Sequence, residues 1–376
     1  MLAAYVHIPF CSRKCLYCGF SSTVYEASLA DRYLEALDRE LGLRMRLMGF
    51  PSVSSVYIGG GTPTVLSLHQ LTTLFSSLRR HIALSPDSEI TVEVNPESAV
   101  EGIYDLFKAM DVTRLSVGIQ SFTDAFLRML GRPHNAVQAR ESVLKAQSAG
   151  HRNINLDLIY ALPDQQINDW AATLHEALSL APQHLSVYCL TIEDRTPFAR
   201  RVSSGNLLLP SQDVAADMYA LAYDACSVAG LPRYELSNFA LPGMQCRHNQ
   251  HYWGRGEYAG FGAAAWSFVE TRRWANLDDV KTYTNIVLGG GSPISYEERL
   301  SASQAAAEVV MLALRTESGL NLERFREAHG EAAHDALIAS SRPCCASGHL
   351  KIEERHLRLS ASGAMVANEI LAMLMT

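Results

Sequence analysis

Through the first half of the chain, short runs of aliphatic and β-branched residues alternate with longer stretches in which apolar side chains return every three or four positions. The runs at 3–8, 53–58, 89–94, 114–119, 154–159 and 184–189 predict strands, and their nearly continuous apolar character suits strands covered by helices. The stretches at 29–47, 67–81, 136–149 and 168–180 place apolar residues near i, i+3, i+4 and i+7, which predicts amphipathic helices between the strands. Six strand–helix repeats predict a parallel sheet with helices outside it. Six strands fall short of the eight in a closed barrel, so the expected fold is α/β, an open partial (β/α)6 barrel. Sheets of this kind place their sites at the C-terminal ends of the strands.

Beyond residue 200 the pattern loosens. One helix is expected at about 211–229, followed by an irregular loop rich in histidine, asparagine and aromatic residues. The run Leu288-Gly-Gly-Gly-Ser-Pro293 reads as a turn or linker. After it come helices near 302–315 and from Leu322, a charged hairpin at 350–359 and a last helix at 362–374. These predict a mainly helical, winged-helix-like domain. The expected division is a partial barrel over 1–200, a barrel-completing segment over 201–288 and a C-terminal domain over 289–376.

Composition narrows the class. The 376 residues are 48% hydrophobic and 19% charged, as expected of a globular protein with a real core. A net charge of −7 gives no broad basic footprint, so nucleic acid is not an expected partner. No run of apolar residues is long enough for a membrane span. The opening Met1-Leu-Ala-Ala-Tyr5 has neither the basic nor the long apolar region of a secretory signal. Eight cysteines, three of them clustered, suit a reducing compartment better than a disulfide framework. A cytoplasmic protein is expected.

Chemistry concentrates at strand ends. Cys11-Ser-Arg-Lys-Cys15-Leu-Tyr-Cys18 follows the first strand. Three thiols on one tight loop can hold three irons of a cubane cluster and leave the fourth iron open to an outside ligand. A tetrahedral zinc site completed by His7 is an alternative, as is a set of buried reduced cysteines. Tyr57-Ile-Gly-Gly-Gly-Thr-Pro63 closes the second strand, where glycines permit close backbone approach and an anion-binding nest. It lacks the Lys-Ser/Thr of a nucleotide-binding P-loop. Glu93, Gln120 and Asp157 are polar at strand positions where a core would be apolar, and a buried carboxylate needs a partner such as Arg132 or a ligand.

Cys-x3-Cys-x2-Cys after one strand and Gly-Gly-Gly-Thr-Pro after the next resemble the radical S-adenosylmethionine (SAM) superfamily. Val6-His-Ile-Pro-Phe10, Ser116-Val-Gly-Ile-Gln-Ser121 and Leu130-Gly-Arg-Pro-His134 are similar to its HemN-like branch, the relatives of anaerobic coproporphyrinogen oxidase. The resemblance covers almost the whole chain. It implies a 4Fe–4S cluster on Cys11, Cys15 and Cys18. It also implies SAM chelated to the open iron, and a 5′-deoxyadenosyl radical on reductive cleavage. Tyr5, Tyr17, Gly60, Gly61, Thr62, Glu93, Gln120, Arg132, Asp157 and Thr191 match SAM-contacting positions of this branch. Two departures separate the chain from the decarboxylases: Phe20 stands where they carry a further cysteine, and the chain begins ten residues before Cys11.

Cys246-Arg-His248-Asn249-Gln-His251-Tyr252-Trp253 contains His-Asn-x-x-Tyr-Trp, a signature that resembles the HemW family of heme chaperones. The resemblance implies heme as cargo, with His248 as axial ligand, aromatic residues packed on the porphyrin and Cys246 as a further thiol. It also implies an acceptor protein for the heme, with transient contact where that acceptor is membrane-bound. Trp266 departs from the histidine often found in Gly-Ala-His-Ser of these relatives. The rival expectation is an enzyme of the HemN type, a coproporphyrinogen decarboxylase or radical methyltransferase.

Overall fold

The computed structural model describes residues 1–375. All six expected strands form, as Leu2–Ile8, Ser52–Gly60, Ala83–Val94, Arg114–Gln120, Ile154–Tyr160 and His184–Cys189. Each pairs in parallel with the next in chain order. Outward residues such as Val6, Ile8, Val92, Leu115 and Leu156 are wholly buried beneath the surrounding helices. The inner face is polar instead: Glu93 lies opposite Ser116, and Asp157 opposite Ser186. The four expected helices run Ala27–Leu47, Leu68–His81, Ala136–Ser148 and Ile167–Ser179. Two of them start where side chains cap free backbone N–H groups, in the reciprocal Ser67–Gln70 and Asn135–Gln138 pairs.

The sheet is larger than expected and stays open. The hairpin Arg233–Glu235 and Asn238–Ala240 extends it beyond the sixth strand, and Tyr258–Phe261 pairs in parallel with the first. Antiparallel strands Trp266–Val269, Arg272–Asn276 and Ile294–Arg299 follow on that side, giving a twelve-stranded sheet. The stretch read as irregular therefore holds strands at both edges. They are only three to six residues long, too short for a periodic pattern to show. The histidine-rich loop is a helix, Arg247–Trp253.

A buried cluster fixes these strands to the first helix. Glu40 accepts from the Gly262 backbone N–H at 2.8 Å, the Tyr283 hydroxyl at 2.6 Å and the Asn276 amide at 2.7 Å. Arg44, one turn along, pairs with Glu40 at 3.1 Å and donates to the Gly260 carbonyl at 2.9 Å.

A second core, including Leu314, Phe325, Leu337, Leu357 and Leu371, holds the C-terminal helices and a three-stranded sheet. The expected hairpin forms as Leu350–Glu353 and His356–Leu359, the latter being the central strand of that sheet. Helix Glu331–Ala346, absent from the sequence reading, carries Pro343 and only a weak apolar stripe. The expected last helix is broken at Val366 into Ala361–Met365 and Ala367–Leu374. No described helix is long and apolar enough to cross a membrane.

Glu40→Ala leaves Arg44 buried without its carboxylate. Breaking a buried pair of this kind costs about 3–5 kcal/mol. Denaturant unfolding is expected to show a loss of that size, and an unchanged midpoint would contradict the assigned role.

Candidate functional site

The cysteine loop is anchored at its base before any cofactor is considered. Two-residue strands Phe10–Cys11 and Thr23–Val24 pair in parallel and pin its two ends. His7, on the first strand, reaches the Ser21 carbonyl with Nε2 at 2.9 Å and takes the Tyr5 hydroxyl on Nδ1 at 3.0 Å. Burial lowers its pKa, so the ring stays neutral, donating through Nε2 and accepting at Nδ1. Both nitrogens are engaged, and His7 does not complete a zinc tetrahedron. The glycine turn serves this base. Gly60 has φ +111°, and a Cβ there would strike the His7 ring; one on Gly61 would sit 2.7 Å from the Phe10 carbonyl oxygen.

Leu130-Gly-Arg-Pro-His134 docks the other side of the loop. The Leu16 N–H donates to the Leu130 carbonyl at 3.0 Å, and Arg13 Nε to the Gly131 carbonyl at 2.9 Å. Gly131 has φ +76°, and a Cβ there would lie 2.9 Å from Leu16. Arg132 then turns inward. Its guanidinium donates to Asn95 Oδ1 at 2.8 Å and the Gly118 carbonyl at 2.9 Å, and it lies 3.7 Å from Cys15 Sγ. Thr62 Oγ1 lies 3.6 Å from Cys11 Sγ. Burial raises the Cys11 and Cys18 thiols above their ordinary values, and the Thr62 hydrogen bond offsets part of that rise at Cys11.

The three cysteines open on a cavity of about 540 Å3 at the C-terminal ends of the strands. Tyr17, Gly60, Gly61, Thr62, Glu93, Gln120, Arg132, Asp157 and Thr191 line the same cavity. Glu93 accepts from the Gly60 N–H at 2.9 Å and the Tyr57 hydroxyl at 3.0 Å. Burial pushes its pKa up to about 7, and the nearby Asp157 adds to the rise. Asp157 is raised too, chiefly by burial, although it accepts from Ser116 at 3.0 Å and Asn155 at 2.9 Å. Gln120 is held at φ +66°, uncommon for a non-glycine residue. Phe20 sits at the rim, 69% exposed.

Two predicted residues lie elsewhere. Tyr5 stacks behind Tyr57, ring centroids 6.2 Å apart, and does not line the cavity. The expectation that His248 reaches a ligand over the barrel mouth is corrected by its position inside the barrel floor. It is 1% exposed, its Nδ1 meets Ser55 Oγ at 2.9 Å, and Tyr57 and Tyr252 cover its ring. Nothing within four residues of His248 in the sequence reveals the strand it packs against. Cys246 is fully buried as well, its thiol 3.5 Å from Glu89, so it offers no attachment point. Sequence reasoning missed Asn95, which orients Arg132, and Glu97. Burial would raise the Glu97 pKa, but the His134 hydrogen bond and Arg132 hold it below the ordinary carboxylate value. Asn95-Pro-Glu97 at a strand end was the available signal.

Burial lowers the His248 pKa to about 3, so the ring is neutral at any working pH. His248→Ala is expected to cost about 1–3 kcal/mol by stranding Ser55 and opening a hole beneath Tyr57. Thermal unfolding measures that loss. The spectrum of any bound porphyrin should keep its band positions, and a selective shift without loss of stability would restore the ligand role.

The donor set and the cavity fit a 4Fe–4S cluster with an exchangeable fourth site, and known proteins agree. Residues 5–177 match the model of the radical SAM superfamily, and 300–366 that of the HemN C-terminal domain. The chain is similar to the heme chaperone HemW of Bacillus subtilis, 34% identical over 98% of both chains. Its likeness to HemW of Mycobacterium tuberculosis H37Rv is 36% over 99% of this chain and 94% of the other. The solved structure of Escherichia coli coproporphyrinogen III oxidase, HemN, superposes with TM-score 0.88 at 26% identity, covering 100% of this chain and 90% of that one. A likeness sustained end to end, through both modules and the cysteine loop, leads to one conclusion: the chain belongs to the HemW family of the radical SAM superfamily.

Proposed function

We propose that the protein is a heme chaperone: it carries a 4Fe–4S cluster and SAM at the barrel mouth, binds heme and passes it to an acceptor protein. The observation that carries this reading is the coverage of the match. Nearly the whole length of a relative named as a heme chaperone is matched here, at 34% identity over 98% of each chain. Cys11, Cys15 and Cys18 would hold the cluster, which when bound supplies an open iron for SAM and an electron for its cleavage. The chain's own residues do the positioning. Arg132 lies beside the Cys15 sulfur, Glu93 and Asp157 present acceptors to donor groups of SAM, and Gln120 and Thr191 border the same space.

In this reading 1–200 form the partial barrel, 201–288 complete it around the heme signature, and 289–376 are the accessory domain. The protein works in the cytoplasm, and its acceptor is a separate protein, met transiently where that acceptor is membrane-bound. The eight cysteines are all free, in keeping with a reducing compartment.

A second reading, an enzyme of the HemN type, is favoured by the shared fold and full overlap with coproporphyrinogen III oxidase. Titration of the anaerobically reconstituted protein with hemin separates the two. The chaperone reading expects a saturable Soret band at one heme per chain that declines when an apo-acceptor is added. Turnover of coproporphyrinogen with no stoichiometric Soret band would overturn it.

The cluster assignment makes a sharp distinction among thiols. Cys11→Ala, Cys15→Ala and Cys18→Ala are each expected to abolish the broad visible absorbance of the cluster. Cys226→Ala and Cys344→Ala should keep it, since both thiols are buried in apolar cores away from the loop.

Glu93 sets a pH dependence. Its folded pKa of about 7 lies above the ordinary 4.5, so the folded chain keeps a proton that the unfolded chain releases between those values. Stability from this group therefore falls as pH rises from about 4.5 to 7. SAM affinity should move the other way, because the ionised carboxylate is the better acceptor. Calorimetry at pH 6 and pH 8 is expected to show weaker SAM binding at pH 6 and a flatter profile in Glu93→Gln. An unchanged profile in the variant would remove Glu93 from the site.

A further inference from the structure

A row of buried polar side chains lies beneath the cofactor cavity. Strand alternation turns Asn155 and Asp157 of Ile154–Tyr160 to the inner face of the sheet, and His184 and Ser186 of His184–Cys189 likewise. Register then sets them side by side. Asn155 stands opposite Ser116 on one side and His184 on the other, and Asp157 stands opposite Ser186. Asp157 and Ser116 line the cavity, whereas Asn155 and His184 lie one step deeper and are wholly buried.

The hydrogen bonds along this row run in one direction. A backbone N–H can only donate, and that of Cys246 donates to the Tyr234 hydroxyl oxygen at 3.3 Å. The hydroxyl hydrogen goes to His184 Nε2, 2.8 Å away. Burial, helped by the charge of Arg114, holds the His184 pKa well below its ordinary value, so the ring carries a single hydrogen. With Nε2 accepting, that hydrogen sits on Nδ1 and is donated to Asn155 Oδ1 at 2.6 Å. Ser186 donates to the same oxygen at 3.1 Å. The amide nitrogen of Asn155 is thereby turned to the other side, where it donates to Asp157 Oδ1 at 2.9 Å and to Ser116 Oγ at 2.8 Å. Ser116 passes its own hydrogen to Asp157 Oδ2 at 3.0 Å.

Both ends of the row are fixed. Tyr234 stands on the strand Arg233–Glu235, and its carbonyl accepts the Glu317 N–H at 3.0 Å. At the cavity end each Asp157 oxygen takes one donor from below and keeps a lone pair for a ligand. The direction matters because an amide has two unlike ends. A reversed Asn155 would set its oxygen against the carboxylate, and two acceptors in contact repel, so Asp157 would have to turn away or take a proton.

We infer that His184 is a positioning residue for the cofactor site: by donating to Asn155 it fixes the amide that holds Asp157 toward SAM. The inference rests on the reading of the mouth cavity as the SAM site, while the row of hydrogen bonds belongs to the chain itself. His184 touches no ligand; its effect on SAM passes through Asn155 and Asp157.

The test is anaerobic calorimetry of SAM binding to the full-length, cluster-loaded protein, with the melting temperature recorded for each variant. His184→Asn puts an amide where Nδ1 stands and keeps a donor for Asn155, whereas His184→Gln reaches the Nε2 position and keeps only the Tyr234 partner. His184→Gln is expected to weaken SAM binding at least about fivefold with cluster absorbance retained, and His184→Asn to stay within about twofold of wild type. In an Asp157→Ala background His184→Gln should cost nothing further, because the two positions act as one. Wild-type affinity in a folded His184→Gln, equal losses in both variants, or the same loss with and without Asp157 would overturn the inference and leave the SAM site standing. A wild-type protein that holds its cluster and does not bind SAM would overturn that reading and the inference together. Should His184→Gln fail to fold, Asn155→Leu removes the amide at nearly constant volume. It is expected to lose at least about fivefold in SAM affinity, and an unchanged affinity would overturn the inference.

Discussion

One buried carboxylate closes the barrel floor. Glu89, on the inner face of the third strand, accepts the backbone N–H groups of Arg247 and His248 at 3.1 and 3.2 Å and lies 3.5 Å from the Cys246 thiol. These N–H groups begin a helix and have no partner within it, so a buried anion there meets both a hydrogen-bonding need and the helix dipole. The interaction seats helix Arg247–Trp253 across the N-terminal ends of the strands. At the opposite end of the strands the polar inner face opens on the cavity beside the cysteine loop.

The same constraint explains what could be read from the sequence. Six strands and the helices between them were legible because each is long enough to show its period, and the cysteine spacing stated its own chemistry. Glu93, Gln120 and Asp157 were legible as polar residues where a core strand should be apolar. The edge strands were not, since Tyr258–Phe261 or Asn238–Ala240 is defined by what it pairs with rather than by any pattern of its own. His248 was misplaced for a related reason. A histidine among aromatics suggests a ligand, and only the partner Glu89, 159 residues away, shows that its backbone is spoken for by the floor. Glycines 60 and 61 were read as places where the backbone comes close to a ligand, and the close neighbours the structure gives them are His7, Ile8 and Phe10 of the protein itself.

The mouth cavity gathers the three thiols, the carboxylates of Glu93 and Asp157 and the fixed cation of Arg132, the groups that the proposed cofactor site needs. Tyr188 lines this cavity and a second one beside it. Helix Ala302–Ala313 brings Glu308 and Met311 to the second cavity, so the C-terminal part of the chain packs directly against the barrel.

Diffraction from crystals of the protein loaded with cluster and hemin, recorded at the iron absorption edge, tests the central claim most directly. The account predicts anomalous density in two places: a compact cluster within bonding reach of Cys11, Cys15 and Cys18, and a single heme iron apart from it. A heme iron bound to His248 Nε2, or one placed in the mouth cavity among Glu93, Arg132 and Asp157, would contradict it.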